Sequence, residues 1–223
     1  MNLKKATLFA IVGILYIFIS RTIATFFFPN LTNLAVTQIN TLLSLLASFA
    51  VLIFYIYFYK DYVQEKQIAL KVASLIAIIG SCATSLLFLK GVLKIFNLYI
   101  PQWQMLNVLT PFVSTIFSLY FFIIFYKACL PNVSKLKIAL LLAIIGFSIS
   151  TLIRTFILIN FFHSGIFRWL WNYSLEFLFV FIPIIAFIFL ANLYFFIIFY
   201  KEQNNLNLIF QITHPPKISK RSA

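Results

Sequence analysis

Apolar residues run along this chain in six long blocks, separated by short segments that carry most of its lysines, prolines and asparagines. The blocks are Ala6–Phe28, Ile39–Tyr59, Ile68–Leu89, Val108–Tyr126, Ile138–Phe161 and Ser174–Tyr200. Within each block the apolar positions are continuous and do not alternate in twos, which predicts helices and not barrel strands. Crossing ~30 Å of hydrocarbon takes about 20 residues at 1.5 Å each, so every block is long enough to span a bilayer. The first block follows Lys4 and Lys5 as a signal peptide would. It is too long for a signal core and no small-residue cleavage site follows it, so it reads as a retained span.

The blocks also resemble one another. Leu119-Tyr120-Phe121-Phe122-Ile123-Ile124-Phe125-Tyr126-Lys127 recurs unchanged from Leu193 to Lys201, and the second block ends similarly in Ile53-Phe54-Tyr55-Ile56-Tyr57-Phe58-Tyr59-Lys60. Ala10-Ile11-Val12-Gly13, Ala77-Ile78-Ile79-Gly80 and Ala143-Ile144-Ile145-Gly146 lie 67 and 66 residues apart. Eight residues after the glycine, Arg21-Thr22 matches Arg154-Thr155, where the remaining copy has Phe88-Leu89. These matches predict three duplicated hairpins, residues 6–60, 68–127 and 138–201, all the same way up around a pseudo-threefold axis. The competing explanation is convergence, because lipid-facing helices draw on the same few apolar residues. The expected organisation is one transmembrane domain, 1–201, and a polar basic tail, 202–223.

Composition removes the soluble alternative. Of 223 residues 63% are hydrophobic and 9% charged, where soluble domains carry about a quarter charged. Seventeen Lys and Arg against four Asp and Glu give +13, which in a soluble domain would suggest nucleic acid. Here the basic residues sit in short segments between apolar blocks and offer no face for a phosphate backbone, so nucleic acid is excluded as a partner and the lipid bilayer is expected. Twelve basic residues (Lys4, Lys5, Lys60, Lys66, Lys71, Lys127, Lys135, Lys137, Lys201, Lys217, Lys220, Arg221) fall on one predicted side and three (Lys90, Lys94, Arg168) on the other. The richer side is expected to face the cytoplasm, with both termini there. A plasma (inner) membrane of prokaryotic type is the expected location. Trp103, Trp169 and Trp171 fall at outer interfaces, and Tyr55, Tyr57, Tyr59, Tyr126 and Tyr200 read as an inner aromatic belt.

Chemistry is sparse. The two histidines, His163 and His214, are far apart, and Asp61, Glu65 and Glu202 read as solvated loop residues. No GxSxG, HExxH, CxxC or P-loop occurs, so no catalytic, cofactor or metal site is expected and the chain is read as a non-enzyme. Cys82 and Cys129 read as unlinked apolar fillers. Arg21, 16 residues after Lys5, and Arg154, 17 after Lys137, lie ~25 Å above the inner boundary. With Glu176, in the first turn of the last helix, they form the candidate intramembrane polar site. Snorkelling to the outer interface is the simpler explanation for the arginines. Pro111 and Pro183 are candidate helix kinks. Thr37, Thr41, Ser44 and Ser48, then Thr110, Ser114 and Ser118, then Ser148, Thr151 and Thr155 form stripes suited to helix packing, or to a hydrated path.

Two function classes remain. One is a multi-pass protein that forms or supports a small transport or permeation pathway, on its own or as a homo-oligomer. The other is a membrane-embedded interaction or sensor subunit of a larger complex, joined to an unidentified membrane partner.

Overall fold

A computed structural model describes the backbone of residues 2–27, 34–62, 67–95, 104–129, 134–162 and 176–213, with side chains for all but the ends of these stretches. Six helices fill them: α1 Leu3–Phe27, α2 Leu34–Tyr62, α3 Ile68–Ile95, α4 Gln104–Ala128, α5 Ser134–Phe162 and α6 Glu176–Thr213. Among the described residues, five stretches are long and apolar enough to cross a membrane: Asn40–Asp61, Ile68–Leu93, Met105–Ala128, Ser134–Ile159 and Ile182–Gln203. α4 and α6 run unbroken through Pro111 and Pro183. α6 continues 12 residues past Lys201 to Thr213, into the segment expected to be a polar tail.

Each helix packs against the next along the chain, and α6 closes on α1, so the six form a ring. Their ends are tied at the lysine-bearing end of the bundle. The Asp61 carboxylate on α2 accepts a hydrogen bond from the Leu3 N–H at the start of α1 (3.2 Å), capping a free donor where the helix dipole favours negative charge. Lys4 on α1 sits over the Tyr200 ring of α6 (5.2 Å), and Lys137 on α5 over the Tyr126 ring of α4 (5.8 Å).

The core is aromatic and belongs to the even-numbered helices. Phe58 of α2, Phe125 of α4 and Phe199 of α6 form a triangle with ring centroids 5.0, 5.9 and 6.0 Å apart. One turn away lie Phe54, Phe121 and Phe195, and all six rings are buried. A second ring from each helix reaches the next helix in the cycle. Tyr55 meets Phe121 at 5.1 Å, Phe122 meets Phe195 at 4.8 Å, and Phe196 meets Phe54 at 4.8 Å. Nearly all these pairs are edge-to-face, the arrangement that sets ring edge against ring face.

The odd-numbered helices back this core with small residues. Leu3, Ala6 and Ala10 on α1, Leu70, Ala73 and Ala77 on α3, and Leu136, Ala139 and Ala143 on α5 are all buried. Short side chains let backbones approach where no hydrophobic drive distinguishes neighbour from lipid. Close approaches occur at the glycines. A Cβ added at Gly91 of α3 would stand 2.9 Å from Thr41 Cγ2 of α2, one at Gly13 3.0 Å from the Ala47 carbonyl oxygen, and one at Gly80 3.2 Å from Ser114 Cα. At Gly146 the nearest atom, Ala191 Cβ, is 3.4 Å away. The outward faces carry large exposed apolar side chains, among them Phe9, Val12, Leu46, Ile79, Leu152 and Leu190, a surface suited to lipid.

Candidate functional site

The bundle is packed very differently at its two ends. Taking Gly13, Gly80, Gly146 and the residues they touch as a level, nearly all buried residues lie on the lysine-bearing side of it. On the far side, no described residue of α1, α4, α5 or α6 is buried: residues 14–19, 105–113, 147–159 and 182–187 all keep accessible surface. Only α2 and α3 remain tight there, through Leu45, Ser81, Ser85 and Val92. Inward stripes that are sealed by phenylalanine at one end are less tightly packed at the other, among the described residues.

Arg154 lies in this less tightly packed part, on the stripe that points to the core lower down. It follows Leu136 by 18 residues and Ala143 by 11, both buried, and these intervals are close to five and three whole turns. The residue is partly buried and its Nε is enclosed. Arg21 lies in α1, and Glu176 is the first residue of α6. The side chains of both lie outside the described residues, as do Trp103, Trp169 and Trp171.

Three hydroxyl groups on the predicted stripes donate to their own helix. Ser48 donates to the Leu45 carbonyl (2.8 Å), Thr151 to Phe147 (2.8 Å) and Thr155 to Thr151 (2.8 Å). Thr115, just off the α4 stripe, donates to the Pro111 carbonyl (2.7 Å). A hydroxyl with its proton so engaged has only acceptor capacity left, so these groups support packing and offer nothing to an anion. Thr84 and Ser114 share a hydrogen bond of 2.9 Å that ties α3 to α4, and the Tyr16 hydroxyl donates to Asn40 Oδ1 (3.3 Å) between α1 and α2.

Between the less tightly packed part and the aromatic triangle, on the same axis-facing stripe, come Ser118 of α4 and Asn192 of α6. Each stands seven residues, about two turns, before the triangle phenylalanine of its helix. Ser118 is hydrogen-bonded to Tyr55, which is buried at 2% exposure. Tyr55 is thus a core residue and not part of the interfacial belt that its spacing suggested. Asn192 is half-buried and donates through Nδ2 to the Ile188 carbonyl (2.8 Å). One turn beyond the triangle, Cys129 and Gln203 are both buried.

The triangle itself was not singled out by sequence reasoning. Its signal was present: Phe125 and Phe199 hold the same place in the nine-residue match, and Phe58 holds it in the related ending of the second block.

No family model matches the chain. No curated protein matches it, and no solved structure does. The long apolar helices and their lipid-suited faces define the class: the chain is a multi-pass membrane protein.

Proposed function

We propose that the chain forms a small permeation or transport pathway, open toward the outer side and closed toward the cytoplasm by the phenylalanine core. In this reading all six helices span, both termini are cytoplasmic, and the membrane is a prokaryotic-type plasma membrane. The three hairpins are duplicates around a pseudo-threefold axis. The cyclic order of the ring contacts supports the duplication, since matched residues of α2, α4 and α6 meet one another in the same sense. The matched glycine crossings within each hairpin support it too.

The observation that carries the pathway is the unequal packing, with Arg154 on an inward stripe of the less tightly packed half. An arginine there raises the local concentration of anions at the mouth. Arg21 holds the matched register in α1, and Glu176 is the carboxylate nearest in the chain to that end. The test is efflux of a small anion such as iodide from proteoliposomes. Arg154→Leu is expected to lower it by about tenfold, the low end of electrostatic focusing. Lysine should rescue it only partly, because it lacks the guanidinium fork. Wild-type protein no leakier than empty liposomes would refute the reading.

The second reading, an interaction or sensor subunit, draws on one observation, the helical extension of α6 to Thr213. Deleting residues 204–223 separates the two: a pathway keeps its efflux, whereas an interaction subunit has none to lose.

A further inference from the structure

We propose that Phe58, Phe125 and Phe199, backed by Phe54, Phe121 and Phe195, are the gate of this pathway. The inference rests on the pathway reading and adds the element that closes it. The six rings come in equal number from the three even-numbered helices, are all buried, and meet across the axis at 5.0 to 6.0 Å in the triangle. The axis-facing positions of these two layers are all phenylalanine. An apolar constriction of this kind stops water and ions without needing to be fully occluded, because a thin column of water between phenyl rings loses its hydrogen bonds. The layers above and below are different in kind. Ser118 and Asn192 stand on the open side, and Cys129 and Gln203 on the lysine-bearing side.

The way the helices join suggests how the gate opens. Within each hairpin the backbones are locked close, α1 to α2 at Gly13 and α3 to α4 at Gly80. Between even-numbered helices the contacts are mostly ring edges on ring faces. Because α3 also meets α2 closely, at Gly91 beside Thr41, the parting that would separate the triangle falls at the other hairpin boundaries, above all between α6 and α1, the least tightly joined neighbours.

Cys129 supplies a native reporter. It lies one turn below Phe125 on the same stripe, is buried, and forms no disulfide. The experiment adds a membrane-impermeant thiosulfonate to the outside of cells carrying the Cys82→Ser protein. Asn192→Cys, above the gate, is introduced in a parallel strain in which Cys129 is also serine. The expected result is labelling of Asn192→Cys, little labelling of Cys129 in the otherwise native chain, and labelling of Cys129 about tenfold faster in Phe125→Ala. Phe125→Leu and Phe199→Leu, milder changes that keep the core filled, should give intermediate rates if the alanine variant does not fold. If Asn192→Cys stays unlabelled, the pathway reading fails and the gate with it. If Asn192→Cys labels but Cys129 remains protected in every folded phenylalanine variant, the pathway stands and the gate is overturned. Rapid labelling of Cys129 with all six phenylalanines present also overturns the gate.

Discussion

Gly13 and Gly146 occupy the same place in the sequence pattern and each faces its hairpin partner, but at different distances. An added methyl at Gly13 meets the Ala47 carbonyl oxygen at 3.0 Å, whereas at Gly146 its nearest neighbour is at an ordinary 3.4 Å. Alanine is the better helix former by about 1 kcal/mol, and that gain decides the sign wherever space exists. Gly13→Ala should lower the melting temperature in detergent, and Gly146→Ala should leave it unchanged or raise it. Equal losses at both would contradict the packing described. Cys129 gives a pH test. Burial pushes its thiol up, and the nearby charge of Lys137 only partly offsets this. The folded chain thus holds its proton after the unfolded chain has released it, so this group stabilises the fold fully below the ordinary thiol value. That contribution falls as pH rises past the ordinary value toward the raised one. In detergent, Cys129 should alkylate more slowly than a cysteine on an exposed loop at pH 8, with the gap closing at higher pH. At this scale the sequence showed the glycines and the arginine register but not the depth of Tyr55. Its neighbours Tyr57 and Tyr59 set a belt-like spacing that helix rotation does not respect.

The even-numbered helices differ from an ordinary amphipathic helix because lipid is as apolar as the core they bury. Phe125 points to the axis and Phe156 of α5 to the outside, at 1% and 58% exposure, yet nothing in their local composition separates them. That is why the six helices were legible, and the inward face was not. Mutation separates the two faces directly. Phe125→Ala should cost about 3–5 kcal/mol, the usual price of an emptied aromatic site, and Phe156→Ala far less. Thermal unfolding in a single detergent compares them, and equal shifts would place Phe125 on the lipid side. The end of α6 was missed for a different reason. Gln203, Asn204, Asn205 and Asn207 read as a polar tail, although apolar residues return at Leu206, Leu208, Ile209 and Phe210. The helix runs through both.

For the molecule as a whole, the ring of helices and its aromatic centre make a geometric demand. Cysteines placed pairwise at Phe58, Phe125 and Phe199 should be bridged by the same short bifunctional reagent in all three combinations, because the rings they replace are nearly equidistant. One pair bridged and another out of reach would leave the likeness of the hairpins to convergent composition. The claim on which everything else depends is that three hairpins stand the same way up, with their lysine-rich ends in the cytoplasm. Topology reporters test it most directly. Fusions after Lys60, Lys127 and Lys201 should all report the cytoplasm, and fusions at Asn33, Gln102 and His163 should all report the outside. A single reproducible reversal among the first three would break the parallel arrangement, and with it the shared axis and the gate.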